Sequence, residues 1–413
     1  MSDQPQPIPF RSVLPYLGAA IVMLAGVGLL GLIQQRPLIV GNSFLRIDGL
    51  SALTMVLAGL IGLTVPPSWR RIGQLGALCI ALLSGHLIGL ALGSLIGTVL
   101  SEDRRYYLSG AGMAAGYLLI GAGADSWWLE FSGTGLNSIS FVLLLAGAVI
   151  AVGGIETISQ RESPFDPLIA LIGLTALLRL YSVGPWNLGW QFATLLAGSA
   201  LALGTAWRAV TAEAAQIAES WLQRAISGLA MVTVGCATPA GVVAAGLILL
   251  HLCVRRLGDP ASGIAPWAGW MLSGAVPGTL GFIAFWSVSA AAMAARIAVL
   301  AIVVWTIALL LILAAGRNIA GQHRQRSSIV ALISLGGGLA SPWLARWLLR
   351  PLSDHLQGGL TPYGAIEPWG WAGLLALDAG SRTAATAPGL ALLALLGLIG
   401  ALAWLMLRWR RGV

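Results

Sequence analysis

Lysine is missing from this chain altogether: all 23 basic residues among its 413 are arginine. Charge of either sign is scarce, at 9% of residues against roughly 25% in soluble domains. That deficit excludes a soluble globular protein of this size. Cysteine is rare too. Cys79, Cys236 and Cys253 all fall inside apolar runs, and an odd, buried set excludes a disulfide framework. No phosphate-cradling loop, HExxH or Cys-x-x-Cys motif occurs, and no intramembrane carboxylate pair. No catalytic residue, metal site or cofactor is therefore expected. The net charge of +8 does not point to nucleic acid, because the arginines are scattered rather than gathered on one face. No small-residue cleavage site follows the first apolar run, so no cleavable leader is expected.

What is present is apolar surface. Hydrophobic residues make up 57% of the chain, with 54 glycines and 17 tryptophans. Several uninterrupted apolar runs reach the length of about 18 residues that a membrane-crossing helix requires. Continuous runs, rather than short alternating ones, exclude a barrel. The fold class is all-α, a polytopic transmembrane helical bundle in a lipid bilayer. Glycines inside the runs suit close helix packing. Trp69, Trp127, Trp128, Trp186, Trp369 and Trp371 stand at run edges, as interfacial aromatics do.

The runs predict helices near residues 13–33, 48–66, 70–84, 86–100, 106–124, 137–157, 164–182, 190–208, 220–236, 239–257, 266–286, 291–315, 327–347 and 388–408. Residues 70–100 can be one long helix or two short ones meeting at Ser84-Gly85-His86. Two helices place Arg11, Arg70 and Arg71 on the arginine-rich side with most of the others, so the positive-inside bias favours fourteen spans over thirteen. Both termini are then cytoplasmic. The chain divides into a membrane core (1–347), an external or interfacial segment (348–387) rich in Pro, Gly and charge, and a last span with a basic tail (388–413).

Ionisable residues at membrane depth are functional candidates by default. His251 and Arg255 lie four apart on one helix face. They read as a proton relay, or as a hydrogen-bonded core histidine beside a snorkelling arginine. Glu156 reads most simply as a surface carboxylate near Arg161 and Glu162. The segment Thr211–Ala225 reads as a cytoplasmic helical connector carrying Glu213, Glu219 and Arg224. His86 sits at the suspected helix junction, solvated or bound to backbone. In "MLSGAVPGTLGFIAFW" the pair Pro277-Gly278 interrupts a span. It is a packing kink, or a helix broken at an ion pathway. At "IDGLSAL", Asp48, Gly49 and Ser51 form a helix entrance, where Asp suits the free backbone amides of a helix start.

These landmarks come in a familiar order. "FLRIDGLSALTMVLAGLIGLTV" resembles the Asp-Gly-Leu-Ser opening of the third helix in antiporter-like membrane subunits. That family serves respiratory complex I, multisubunit cation/proton antiporters and related hydrogenase complexes. "WLQRAISGLAMVTVG" is similar to its Leu-Lys-Arg-Leu-Leu-Ala-Tyr-Ser helix. "LILLHLCVRRL" is similar to its His-x-x-x-Lys helix, with His251 in place and Arg255 where the lysine falls. "LSGAVPGTLGFIAFW" resembles its broken helix: Gly274 is slightly shifted, Pro277, Gly281 and Phe282 match, and Phe285 stands at the lysine position. The resemblance spans roughly residues 44–315.

The resemblance implies inverted repeats with discontinuous helices, partners among other membrane subunits, and a bacterial inner membrane. It also implies a mid-membrane row of Lys, His and Glu for proton movement, and here the chain departs. "LIGLALGSLIGTVL" has no Glu, "LLLAGAVIAVGG" has no Lys, and "LIALIGLTALLRLY" offers only Arg179. Burial can tune a lysine to titrate near neutrality, whereas arginine stays charged. The expected function is a structural or coupling subunit with a degenerate channel. One alternative is a working proton or cation transporter on a rewired path through His251 and Arg255, with Glu156, His86 and Arg179 as further candidates. The other is an unrelated polytopic scaffold.

Overall fold

The computed structural model describes residues 10–378 apart from 35–36, 41–43, 65–67, 125, 160–163, 258–271, 273–275, 277, 319–326, 357–358, 361–364 and 368–375. The expected span at 388–408, and Gly274 and Pro277 of the interrupted helix, lie outside the described residues. Helix α1 (Phe10–Leu32) leads to a short antiparallel hairpin, β1 (Leu38–Val40) and β2 (Leu45–Ile47), and then to α2 (Gly49–Thr64). Residues 70–100 form two helices, α3 (Trp69–Leu83) and α4 (Leu87–Val99). They part at Ser84-Gly85-His86; Ser68 caps the start of α3 and His86 the start of α4 through side-chain acceptors. The first of the two ends after 15 residues, as the two-helix reading expects.

The core is two units of five helical passes. The first holds α3, α4, α5 (Tyr106–Ala124), a split fourth pass of α6 (Ser138–Val152) and α7 (Gly154–Ser159), and α8 (Pro167–Arg179). The second holds α9 (Leu188–Thr211), α10 (Ala215–Gly235), α11 (Pro239–Leu257), α12 (Leu280–Ala294) and α13 (Ala298–Asn318). Within each unit, consecutive passes pack on one another, and α13 closes back on α9. Five is odd, so the second unit starts at the end where the first finishes and runs inverted to it. The fourth pass is interrupted in both. In the first, Gly153 adopts φ 106° between α6 and α7, a conformation side chains resist. In the second, Gly278 has φ 86° and Thr279 caps a fresh start at Leu280 by accepting from the Phe282 amide.

Helices α2, α8 and α11 are apolar and buried on nearly every side, which places them at the centre of the bundle. Stretches Leu14–Leu32, Leu188–Thr211 and Pro239–Leu257 are long and apolar enough to cross a membrane. The helical path also continues beyond residue 347. Helices α14 (Ser327–Leu339) and α15 (Ser341–Leu344) run through a π turn (Ala345–Leu349) into α16 (Arg350–Leu356), whose Pro351, Leu352 and Leu356 are buried. A small hairpin, β3 (Ala365–Glu367) with β4 (Ala376–Asp378), follows.

Candidate functional site

The buried charges form separate clusters at the two ends of the bundle. At the hairpin end, Asp48 is fully buried just before α2 and caps it, accepting from the Ser51 amide at 3.0 Å. That role was expected, but the same carboxylate does more. It pairs with Arg179 at the end of α8 and with Arg46 of the hairpin at 3.2 Å. Arg179, only 1% exposed, also donates to Ser51 Oγ at 2.9 Å and the Leu82 carbonyl at 2.8 Å. Arg46 reaches Glu130 at 3.5 Å. Asp48 and Arg179 thus tie α2, α3, α8 and the hairpin together through charge-assisted bonds.

The opposite end carries Arg255. Its guanidinium grips Glu219 of α10 with two parallel bonds of 2.7 and 2.6 Å and donates to the Leu272 carbonyl at 2.8 Å. Gln223 donates to the same carboxylate at 3.1 Å. This corrects the reading of Thr211–Ala225 as a connector: α10 starts at Ala215, and Glu219, Gln223 and Arg224 are buried inside the bundle. Arg224 donates to Ser220 Oγ at 2.7 Å and lies over the rings of Trp221 and Phe165, where a cation is held by the ring quadrupole.

Glu156 also departs from expectation. It is 1% exposed, not a surface carboxylate. Arg105 stands 3.6 Å from it, and Tyr106 and Arg224 are near enough to act on its charge. Neither of its oxygens accepts a hydrogen bond among the described residues. The sharp turn at Gly153 brings it inward, a feature a glycine pair inside an apolar run does not announce.

His251 precedes Arg255 by one turn on α11. It is buried, its ring sits edge-on to Phe285 with centroids 6.0 Å apart, and neither nitrogen has a hydrogen-bond partner among the described residues. His86 is far from it in kind: it caps α4 and lies against Trp127 and Trp128 in the hairpin-end loop. The five residues proposed as a proton path therefore occupy four settings. Only His251 and Arg255 share an element, and among the described residues no hydrogen bond or ion pair joins any two of the five. Among the described residues, no group of His, Cys, Asp and Glu could hold a metal ion.

Sequence reasoning missed Glu219 as the partner of Arg255. The spacing Glu219 to Gln223 puts both on one helical face, but only the α10–α11 packing shows which arginine they meet.

No family model and no curated protein sequence matches the chain. Solved structures do. A chain of the Mrp complex from Dietzia sp. DQ12-45-1b aligns with a TM-score of 0.67 at 14% identity, covering 83% of this chain and 92% of that one. A chain of the membrane-bound sulfane sulfur reductase, an archaeal respiratory membrane complex, aligns with a TM-score of 0.67 at 14% identity, covering 95% and 84%. A chain of respiratory complex I from Thermus thermophilus aligns with a TM-score of 0.64 at 16% identity, covering 85% and 95%. At such identities the likeness is one of fold. It is the fold the motif order led us to expect.

Proposed function

We propose that this chain is a divergent antiporter-like membrane subunit that serves a multisubunit complex in a structural or coupling role, without a complete proton channel of its own. The observation that carries the reading is Arg255. It stands where the resemblance expects a titratable lysine, and it is held by both oxygens of Glu219 and by the Leu272 carbonyl. An arginine so bound keeps its proton and its position, so it serves as a fastener between α10, α11 and the segment before α12. Phe285, at the next expected lysine, offers no proton at all. The partners are other membrane subunits of the parent complex, and the membrane is a bacterial inner membrane with both termini cytoplasmic.

The rival is proton or cation transport on a rewired path. It draws support from His251 and Glu156, buried groups whose polar atoms make no hydrogen bond among the described residues and which water could join. Replacing His251 with Ala in the assembled complex, reconstituted in vesicles, separates the two. The structural reading expects proton flux within twofold of wild type. A loss of tenfold or more, with the complex intact, would overturn it.

A further inference from the structure

The arm formed by α14, α15, the π turn and α16 ends on the mouth of α2. Two side-chain bonds fasten it. Gln34 donates to the Trp347 carbonyl at 3.0 Å, in the π turn, where the wider helical turn marks an irregular stretch of backbone. At the tip, the Gly49 amide donates to His355 Nδ1 at 2.9 Å. Contact there is backbone to backbone. A Cβ on Gly49 would fall 2.3 Å from the Leu352 nitrogen and 2.4 Å from the Pro351 carbonyl. The residue next to Gly49 is Asp48, so α16 sits directly over the Asp48–Arg179 pair.

The bond between Gly49 and His355 specifies a protonation state. Because the amide is the donor, Nδ1 must offer a lone pair and the ring's single proton must sit on Nε2. Nε2 is itself buried with no partner among the described residues. A second proton on the ring would set one N–H against another. The charges facing His355 are Asp48, which carries Arg179 and Arg46, and Asp354 on its own helix, paired with Arg350 at 3.4 Å. The packed faces of α2 and the hairpin-end half of α11 bring no ionisable side chain, and the turn after α8 brings only Tyr181. Burial lowers the affinity of His355 for a proton, and Arg46 acts the same way. Asp48 and Asp354 oppose them, and the balance is a pKa below the ordinary histidine value.

We propose that His355 is a pH-sensitive latch: neutral, it pins α16 over the mouth of α2; protonated, it releases residues 350–356 and opens the Asp48–Arg179 pair to solvent. The sign follows from linkage. Release returns His355 to water, where it titrates near 6.5, so the open state binds more protons than the closed one. Opening becomes easier as pH falls below about 6.5, by up to about tenfold per unit, until the closed-state value is reached. Above that range the latch is indifferent to pH.

Hydrogen–deuterium exchange of the full chain in detergent tests this, from pH 8 to pH 5 with intrinsic rates corrected. Peptides covering 49–53 and 350–356 are compared with α8 as an internal control. In the wild type, opening of both segments should rise between pH 7 and pH 5, by no more than about tenfold per unit below pH 6.5, while α8 holds. His355→Asn keeps an acceptor near the Nδ1 position and cannot titrate; His355→Ala removes the acceptor. The pH response should vanish in both, and the Asn variant serves if the Ala variant fails to fold. A wild type without the response, or either variant retaining it, overturns the proposal.

Discussion

Asp48 shows how much a single residue can hold. Its capping of α2 was readable because the partner amide is three residues away. Its pairing with Arg179, 131 residues distant, was not, since no local pattern relates the two. Breaking a buried pair from one side leaves an uncompensated charge and costs about 3–5 kcal/mol. Arg179→Leu should therefore lower the thermal unfolding midpoint in detergent sharply. Replacing Asp48 and Arg179 together by apolar residues should recover part of that loss, because neither of these two charges is then stranded and Arg46 keeps Glu130. A double variant no more stable than the single one would contradict the pairing as the source of the effect. The Arg255–Glu219 pair makes the same kind of claim at the other end. Glu219→Gln strands Arg255 and should cost about 3–5 kcal/mol, read as a loss of folded protein on denaturant titration. Its partner was hidden for the same reason: helix-face spacing was visible, but which helix faces which was not.

At the scale of elements, apolar length and charge location carried most of the reading. The split of 70–100 into two helices came from arginine placement and the Ser-Gly-His junction, and both helices are there. The later break was expected at Pro277-Gly278; of that stretch the described residues show Gly278 at φ 86° and a helix start at Leu280. The matching interruption at Gly153 was not expected, because "AVGGIE" inside an apolar run looks like ordinary small-residue packing. A residue with a side chain at φ 106° is strained by about 1–3 kcal/mol. The Cβ of Gly153→Ala would also press on Arg224, 2.7 Å from its Nε. We expect that variant to be destabilised by about that amount on denaturant titration, whereas Ala at Gly76, where nothing lies near a Cβ, should be neutral or stabilising. A Gly153→Ala protein as stable as wild type would show that the break is not held by this glycine.

At the scale of the whole molecule, two inverted five-helix units with an interrupted fourth pass in each define an architecture that the motif order had already suggested. The lysines that the resemblance implies for that architecture are absent from this sequence, and the buried Arg46, Arg179 and Arg255 are committed to Asp48, Glu219 and backbone carbonyls. Buried ion pairs of this kind add little net stability but can fix register and partner choice, which suits the structural or coupling role proposed above. The proposal is tested most directly by proton flux from the purified chain alone in sealed vesicles under an imposed pH gradient. The account predicts a rate indistinguishable from empty vesicles at either orientation of the gradient. A rate well above them, abolished by His251→Ala, would show a working channel and contradict it.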